Sequence, residues 1–122
     1  MYAERHVVDV TTDGDGAAEV YTPHVTGRVL SIQYLKTDFI DGVDFTITGE
    51  ESGQTIWTEA NVNAAKTVAP RQATHSTAGV AALYAAGGAA VLDYVVVANE
   101  RIKVVIAAGG ATKVGQFVIL VG

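Results

Sequence analysis

The first residues that could do chemistry are two aspartates in a glycine-rich turn. Asp13 and Asp15 alternate with glycines in Asp13-Gly14-Asp15-Gly16, which resembles the start of a calcium loop. A complete EF-hand loop needs further oxygen ligands and a bidentate glutamate at its end, and Glu19 follows too closely to serve. The pattern therefore favours a solvated hairpin turn.

A second acidic group recurs every third residue, at Asp38, Asp41 and Asp44. These carboxylates would bind a hard cation such as calcium only if a loop brought them together, and along a strand–turn–strand they diverge. The sequence predicts a solvated acidic turn and no metal site.

Histidine and serine are the remaining candidates for catalysis, since the chain contains no cysteine. His6, His24 and His75 lie in different predicted elements and have no metal-binding spacing. His75 precedes Ser76, but adjacent side chains of an extended segment point in opposite directions. No strand–turn–helix elbow surrounds this serine either. The sequence predicts no catalytic residues, and a hydrolase that uses this pair is kept as an alternative.

Glycines and aromatic residues suggest two further sites. The segment 109–115 lacks the residue order of a phosphate loop and no helix follows it, so a hairpin turn explains it better. Trp57 with Tyr34, Tyr84 or Tyr94 would form a sugar-stacking platform, although aromatic residues more often pack in a core. We expect no cofactor, and a carbohydrate-binding β module is the alternative from another functional class.

Short strands separated by turn residues must position these groups. The predicted strands are 5–11, 17–21, 28–36, 43–48, 54–59, 66–69, 91–98, 101–107 and 113–121. Their spacing predicts an all-β chain, a single-domain antiparallel β-sandwich or jelly-roll-like barrel of about eight strands over residues 1–122. Pro23 interrupts the second strand and predicts either an edge strand or a strand end there, because proline cannot donate to a ladder. The nearly continuous apolar run of the last strand predicts a position at the centre of a sheet or against a partner.

Composition limits the classes of partner. Charged residues make up 17% of the chain, hydrophobic residues 49%, and the net charge is −5. The basic residues are scattered, so nucleic acid and anionic membranes are not expected partners. A surface with so little charge suits burial against neighbours in an assembly.

The segment 61–90 is rich in alanine, glycine, threonine and serine, and we expect a long loop there. Residues 80–86 could form one helical turn because alanine and leucine favour helix. The stretch 70–88 is either an interaction arm or a loop that packs on its own sandwich.

Four segments together resemble a known group of proteins. They are VTGRVLSIQYLKTDFIDGVDFTITGEESGQTIWTEANVNA, PRQATHSTAG, LYAAGG and ERIKVVIAAGG with KVGQFVILVG. These segments, from about Val25 onward, are similar to small proteins encoded among the virion genes of tailed phages and prophages. The resemblance carries no motif of known role.

The resemblance implies a virion structural protein without enzymatic activity, made in the host cytoplasm and located on the head surface. It points to a capsid decoration or cement protein that binds the major capsid protein; a tail, neck or head-fibre component is the alternative. A homo-oligomer is expected, and a trimer would suit three-fold positions of a capsid. The candidate interface residues are Tyr2, His6, Val8, Pro70, Arg71, His75, Leu83, Tyr84, Phe117 and Ile119.

Overall fold

The computed structural model describes residues 3–122, and their regular structure is entirely β-strand. The strands are β1 (Glu4–Thr11), β2 (Ala18–Lys36), β3 (Val43–Gly49), β4 (Thr55–Val62), β5 (Lys66–Val68), β6 (Arg71–Ala73), β7 (Leu92–Ala107) and β8 (Val114–Val121). All pairs are antiparallel, in the order β1-β8-β2-β7-β3-β4, with β5 beside β2 and β6 beside β7. The predicted all-β antiparallel class is confirmed.

The sheet curves over so that its two halves face each other. Phe45 of β3 and Phe117 of β8 are separated in the sheet by β2 and β7, yet their ring centroids lie 5.1 Å apart. In a flat sheet three strand spacings would place them about 14 Å apart. The core therefore lies between facing halves of one sheet, as in a β-sandwich.

Strand β2 crosses between the two halves by bending. Its first part pairs with β7 up to Val29, and its second part pairs with β8 from Val29 onward. Gly27 has a φ of 142°, and a Cβ there would lie 3.2 Å from the Val121 side chain. Glycine is therefore required where the strand turns against the end of β8.

The strand end predicted at Pro23 is wrong, because β2 continues through it at an irregularity in the register, whereas the alternative of an edge position agrees with the pairing. The buried Thr22 hydroxyl accepts the Ile102 N–H at 2.9 Å and donates to the Pro23 carbonyl at 2.8 Å. This side chain replaces a ladder hydrogen bond that the bulge removes. The first part of β2 also pairs on one side only, where a proline is tolerated.

Strand β7 likewise joins two predicted strands into one. Asn99 takes a φ of 48° in the middle of it. The next residue, Glu100, is buried and accepts hydrogen bonds from the N–H groups of Glu51 and Ser52, each at 3.0 Å, and from the Ser52 hydroxyl at 3.2 Å. These bonds hold the pKa of Glu100 below its usual value, led by the Ser52 N–H, against the opposing effect of burial. An ionised carboxylate therefore fixes the β3–β4 turn to the irregularity of β7.

The hydrophobic core follows the predicted alternation. Phe45 and Ile47 are buried in β3, as are Ile102, Val104 and Ile106 in β7. Their neighbours along the strands are partly or fully exposed. An aromatic group fills the centre: Tyr34, Phe39, Phe45, Trp57 and Phe117 form one series of ring contacts.

Strand β8 lies at the centre of the sheet, between β1 and β2, as its apolar run predicts. Phe117 and Ile119 are fully buried and Val8 is 6% exposed. All three pack in the core of the chain itself, so their assignment to an intermolecular interface is corrected.

Three loops gather at one end of the sandwich, and we call residues 12–17, 37–42 and 108–113 the loop cluster. The Ile40 N–H donates to the Gly109 carbonyl at 3.2 Å, and the Gly109 N–H donates to the Gly16 carbonyl at 3.0 Å. The Thr112 N–H donates to the Asp13 carbonyl at 3.0 Å. Backbone hydrogen bonds thus join the loops into one surface.

The helical turn expected at 80–86 is wrong. The Ala82 N–H bonds to the Thr74 carbonyl, and bridges join His75 to Ala81 and Leu83 to Ala90. Glycines on both sides confine the segment to a length at which helix nucleation is unfavourable. In residues 3–122 no helix is long and apolar enough to cross a bilayer.

Candidate functional site

The strongest candidate site is a segment that extends from the sandwich, residues 71–94, which we call the arm. Strand β6 pairs with the first residues of β7, from Arg71 opposite Tyr94 to Ala73 opposite Leu92. No arm residue belongs to the buried core, which β7 joins only at Val95. The arm is therefore held by its own hydrogen bonds more than by packing on the body.

A three-way junction organises the arm. The Thr74 N–H donates to the Val91 carbonyl, the Val91 N–H to the Ala82 carbonyl, and the Ala82 N–H to the Thr74 carbonyl, each at 2.9 Å. Beyond this ring of bonds the chain forms two small hairpins. The backbone polar groups at the junction are thus satisfied although almost no side chain covers them.

Turn residues close both hairpins. In the first, the Ser76 carbonyl accepts the Gly79 N–H at 2.8 Å, and Gly79 has a φ of 78°. In the second, the Ala85 carbonyl accepts the Gly88 N–H at 2.8 Å, and Gly87 has a φ of 70°. Both positive φ angles favour glycine, so the small residues here shape hairpin tips.

Between residues 72 and 92 the arm carries no charged side chain and exposes several large apolar ones. Val80 is 66% exposed, Leu83 45%, Tyr84 76% and Leu92 58%. No Asp, Glu, Lys or Arg occurs from residue 72 to residue 92. Exposed apolar side chains on a segment without charged residues are typical of a protein interaction surface.

The base of the arm carries positive charge on an aromatic ring. The Arg71 guanidinium lies 4.2 Å from the centroid of Tyr94, and that of Arg28 lies 4.9 Å from the same centroid. Arg71 also donates to the Pro70 carbonyl at 2.7 Å. An open cleft of about 390 Å³ adjoins the ring, with Gln72, His75 and Asp93 in its wall. This geometry suits a carboxylate from a partner, which Arg binds well.

The structure divides the ten predicted interface residues into groups. Arg71, His75, Leu83 and Tyr84 are exposed on the arm, and Pro70 is buried at its base. His6 is half-buried on β1, where its Nε2 lies 3.1 Å from Glu4 Oε2, away from the arm. Val8, Phe117 and Ile119 belong to the core, and Tyr2 lies outside the described residues.

The residues considered for hydrolysis have structural roles. The Ser76 Oγ accepts the N–H groups of Ala78 and Val80, both at 3.3 Å, and so stabilises the first hairpin tip. His75 is exposed beside it in a bridge to Ala81. This arrangement directs the serine toward its own turn.

The aspartates considered for metal binding diverge. Asp13 Oδ1 accepts the Asp15 and Ala17 N–H groups at 2.9 and 3.0 Å, which holds the pKa of Asp13 below its usual value. Asp38 accepts the Val114 N–H, Asp41 pairs with Lys36, and Asp44 accepts the Asn61 N–H at 2.8 Å. Within residues 3–122 no three such side chains are grouped to hold a metal ion.

The aromatic residues do not form a sugar platform. Trp57 is 8% exposed and packs edge-on against Phe45 at 4.7 Å, and Tyr34 is fully buried. Tyr84 and Tyr94 lie at different places on the arm. The segment 109–115 connects β7 to β8 through the loop cluster. The predicted hairpin turn is wrong, because β2 lies between β7 and β8 in the sheet and these two strands do not pair.

The sequence did not mark Val80 or Ile40 as residues of an interaction surface, and it indicated Tyr94 only as a candidate sugar-stacking residue. Val80 lies within the uncharged stretch 72–92 and Tyr94 lies just beyond it. The absence of charge could have indicated both residues as part of an interaction surface. Ile40 is 49% exposed in the loop cluster, and an isolated isoleucine in an acidic turn gives no such signal.

No protein-family model matches this chain, and no curated protein or solved structure matches it either.

Proposed function

We propose that this chain is a structural protein of a phage virion, most specifically a decoration or cement protein that binds the major capsid lattice without covalent bonds and stabilises the head. The observation that carries the proposal is the arm, whose exposed apolar residues lie on a segment free of charge. The resemblance of the sequence to small virion proteins of tailed phages supports a virion as the assembly in which the arm binds.

The physical basis is that the core lies in the body of the domain, whereas the arm has exposed apolar residues that a partner can bury. The body, residues 3–70 and 95–122, contains the whole buried core, since no arm residue belongs to it. An arm with satisfied backbone bonds and uncovered apolar side chains gains stability when a partner buries them. A subunit of this kind can bridge a joint between neighbouring lattice proteins and resist their separation.

Immunogold labelling of purified particles of the encoding phage tests the location. Dense label over the head, with a copy number near that of the capsid protein, is the expected result. Label confined to the tail or neck would replace the decoration role by that of a tail, neck or head-fibre component. Particles without the chain would overturn the virion proposal and direct attention to the alternatives, including glycan binding.

Binding of the purified chain to particles that lack it tests the part played by the arm. We expect Tyr84→Glu to reduce binding at least tenfold, because it places a charge at the most exposed aromatic residue. Val7→Glu is the control, since Val7 is also an exposed apolar residue, at 45%, but lies on β1. Equal binding by both variants would remove the arm from the contact.

A further inference from the structure

The arm and the loop cluster lie at opposite ends of the molecule. Strand β7 leaves the arm at Val95, opposite Val29, and reaches the loop cluster after Ala107. Loops 12–17 and 37–42 flank the two ends of β2, and both bond to Gly109, so both ends of β2 meet at the loop cluster. The bend of β2 at Gly27 therefore lies at the other end, and there Arg28 contacts Tyr94 at the base of the arm. The arm therefore begins at the end of the sandwich that is opposite to the loop cluster.

The loop cluster presents apolar and acidic groups together. Ile40 is 49% exposed, and Val114, which follows the third loop, is 40% exposed. Between them, Asp38 accepts the Val114 N–H. The three loops contain four aspartates, Asp13, Asp15, Asp38 and Asp41, and one basic residue, Lys113. Lys36, just before the second loop, pairs with Asp41, so three aspartates have no basic partner among the ion pairs of residues 3–122.

The arm has the complementary properties. Its apolar side chains, led by Tyr84 and Leu83, extend from a base where two arginines share the ring of Tyr94. Asp93 is the only acidic residue of the arm, and its Oδ1 accepts the Tyr94 N–H at 2.7 Å. Among the described residues no acidic side chain forms an ion pair with Arg71.

We propose that the occupant of the arm is a second copy of this chain, whose loop cluster receives the arm in a head-to-tail contact. Ile40 and Val114 would cover apolar residues of the arm, and the aspartates would face Arg71 of the neighbour. Because two different surfaces meet, the contact is heterologous and generates a ring if the rotation closes, or a chain if it does not. The inference extends the proposed function by naming a neighbouring copy as a partner of the arm.

Mixing two non-associating variants tests this contact in the purified protein, without a capsid. Tyr84→Glu blocks the arm and keeps the loop cluster, whereas Ile40→Glu blocks the loop cluster and keeps the arm. By sedimentation velocity we expect wild type to associate with increasing concentration and each variant to do so at least tenfold more weakly. An equimolar mixture should form a dimer with one copy of each variant and nothing larger. Val7→Glu should associate as wild type does.

Three results would overturn the head-to-tail contact. They are a wild-type chain that stays monomeric up to about 1 mM, an Ile40→Glu variant that associates like wild type, and a mixture that gives no heterodimer. An arm-to-arm contact would produce the second and third results together. Attraction between Arg71 and the aspartates also requires association to weaken as salt rises, and a salt-independent contact would remove that part of the proposal. Ile40→Glu leaves the arm intact. If this variant binds capsids like wild type but no longer self-associates, the head-to-tail contact and the proposed capsid binding are distinguished.

Discussion

Replacing Gly115 by alanine should destabilise the fold, although alanine is the better strand residue. Gly115 lies in the central strand β8, opposite Val10 and Lys36. A Cβ at this position would lie within 2.8 Å of three carbons of the Phe39 ring. Phe39 is 1% exposed and stacks on Tyr34 with centroids 6.2 Å apart, so its ring has little room to move away.

The magnitude follows from two opposing terms. Alanine reduces the backbone entropy lost on folding, which favours it over glycine by about 0.5–1 kcal/mol in a strand. Overpacking a filled core costs about 1–3 kcal/mol. The difference is a loss of about 0–2.5 kcal/mol. Because all three contacts with the Phe39 ring would be within 2.8 Å, we expect the upper half of this range, a fall of about 1–2.5 kcal/mol in the free energy of unfolding.

Urea unfolding followed by the fluorescence of Trp57, the only tryptophan, measures this change. Gly14→Ala is the control, because a Cβ at Gly14 meets nothing within 4 Å, and it should change stability by less than about 0.5 kcal/mol. Phe39→Leu should relieve the clash. The double variant Gly115→Ala with Phe39→Leu should then lose at least about 0.5 kcal/mol less than the sum of the single losses. A Gly115→Ala protein as stable as wild type, or strictly additive losses, would refute the placement of the Phe39 ring over Gly115.

Three further predictions concern buried polar groups. Thr22→Val should cost about 1–3 kcal/mol of unfolding free energy in urea titrations, because it leaves the Ile102 N–H without its acceptor, whereas Thr22→Ser should retain most of the stability. Glu100→Gln should cost about 1–2 kcal/mol at pH 7. Because the folded-state pKa of Glu100 is lowered, the carboxylate stabilises the fold above its unfolded pKa of about 4.5, and this contribution is lost as pH falls through the folded pKa. Wild type should therefore lose more stability than Glu100→Gln between pH 6 and pH 3, and equal losses would contradict this role. Tyr34→Phe should leave the free energy of unfolding unchanged or raise it, since the buried Tyr34 hydroxyl has no hydrogen-bond partner in residues 3–122. A fall of more than about 1 kcal/mol in urea titrations would show that the hydroxyl has a partner.

Local patterns determined much of this protein in advance. The alternation in β3 and in the second part of β7 gave the correct faces, because a strand places successive side chains on opposite sides. The apolar run from Phe117 to Val121 predicted a central strand. The absence of charge from 72 to 92 indicated an unusual segment, since soluble surfaces ordinarily carry charge.

Tertiary structure decided what these patterns left open. Whether Phe117 faced a partner or its own core depended on the curvature of the sheet, which brings β3 over β8. Whether Pro23 ended a strand depended on Thr22, whose hydroxyl reaches Ile102 on a strand far along the chain. The loop that carries Asp38 and Ile40 lies beside residues 109–114 for the same reason, because hydrogen bonds join Ile40 to Gly109 and Asp38 to Val114. Hydrophobic periodicity reports only which side of its own strand a residue occupies, whereas register and curvature arise from contacts between residues distant in sequence.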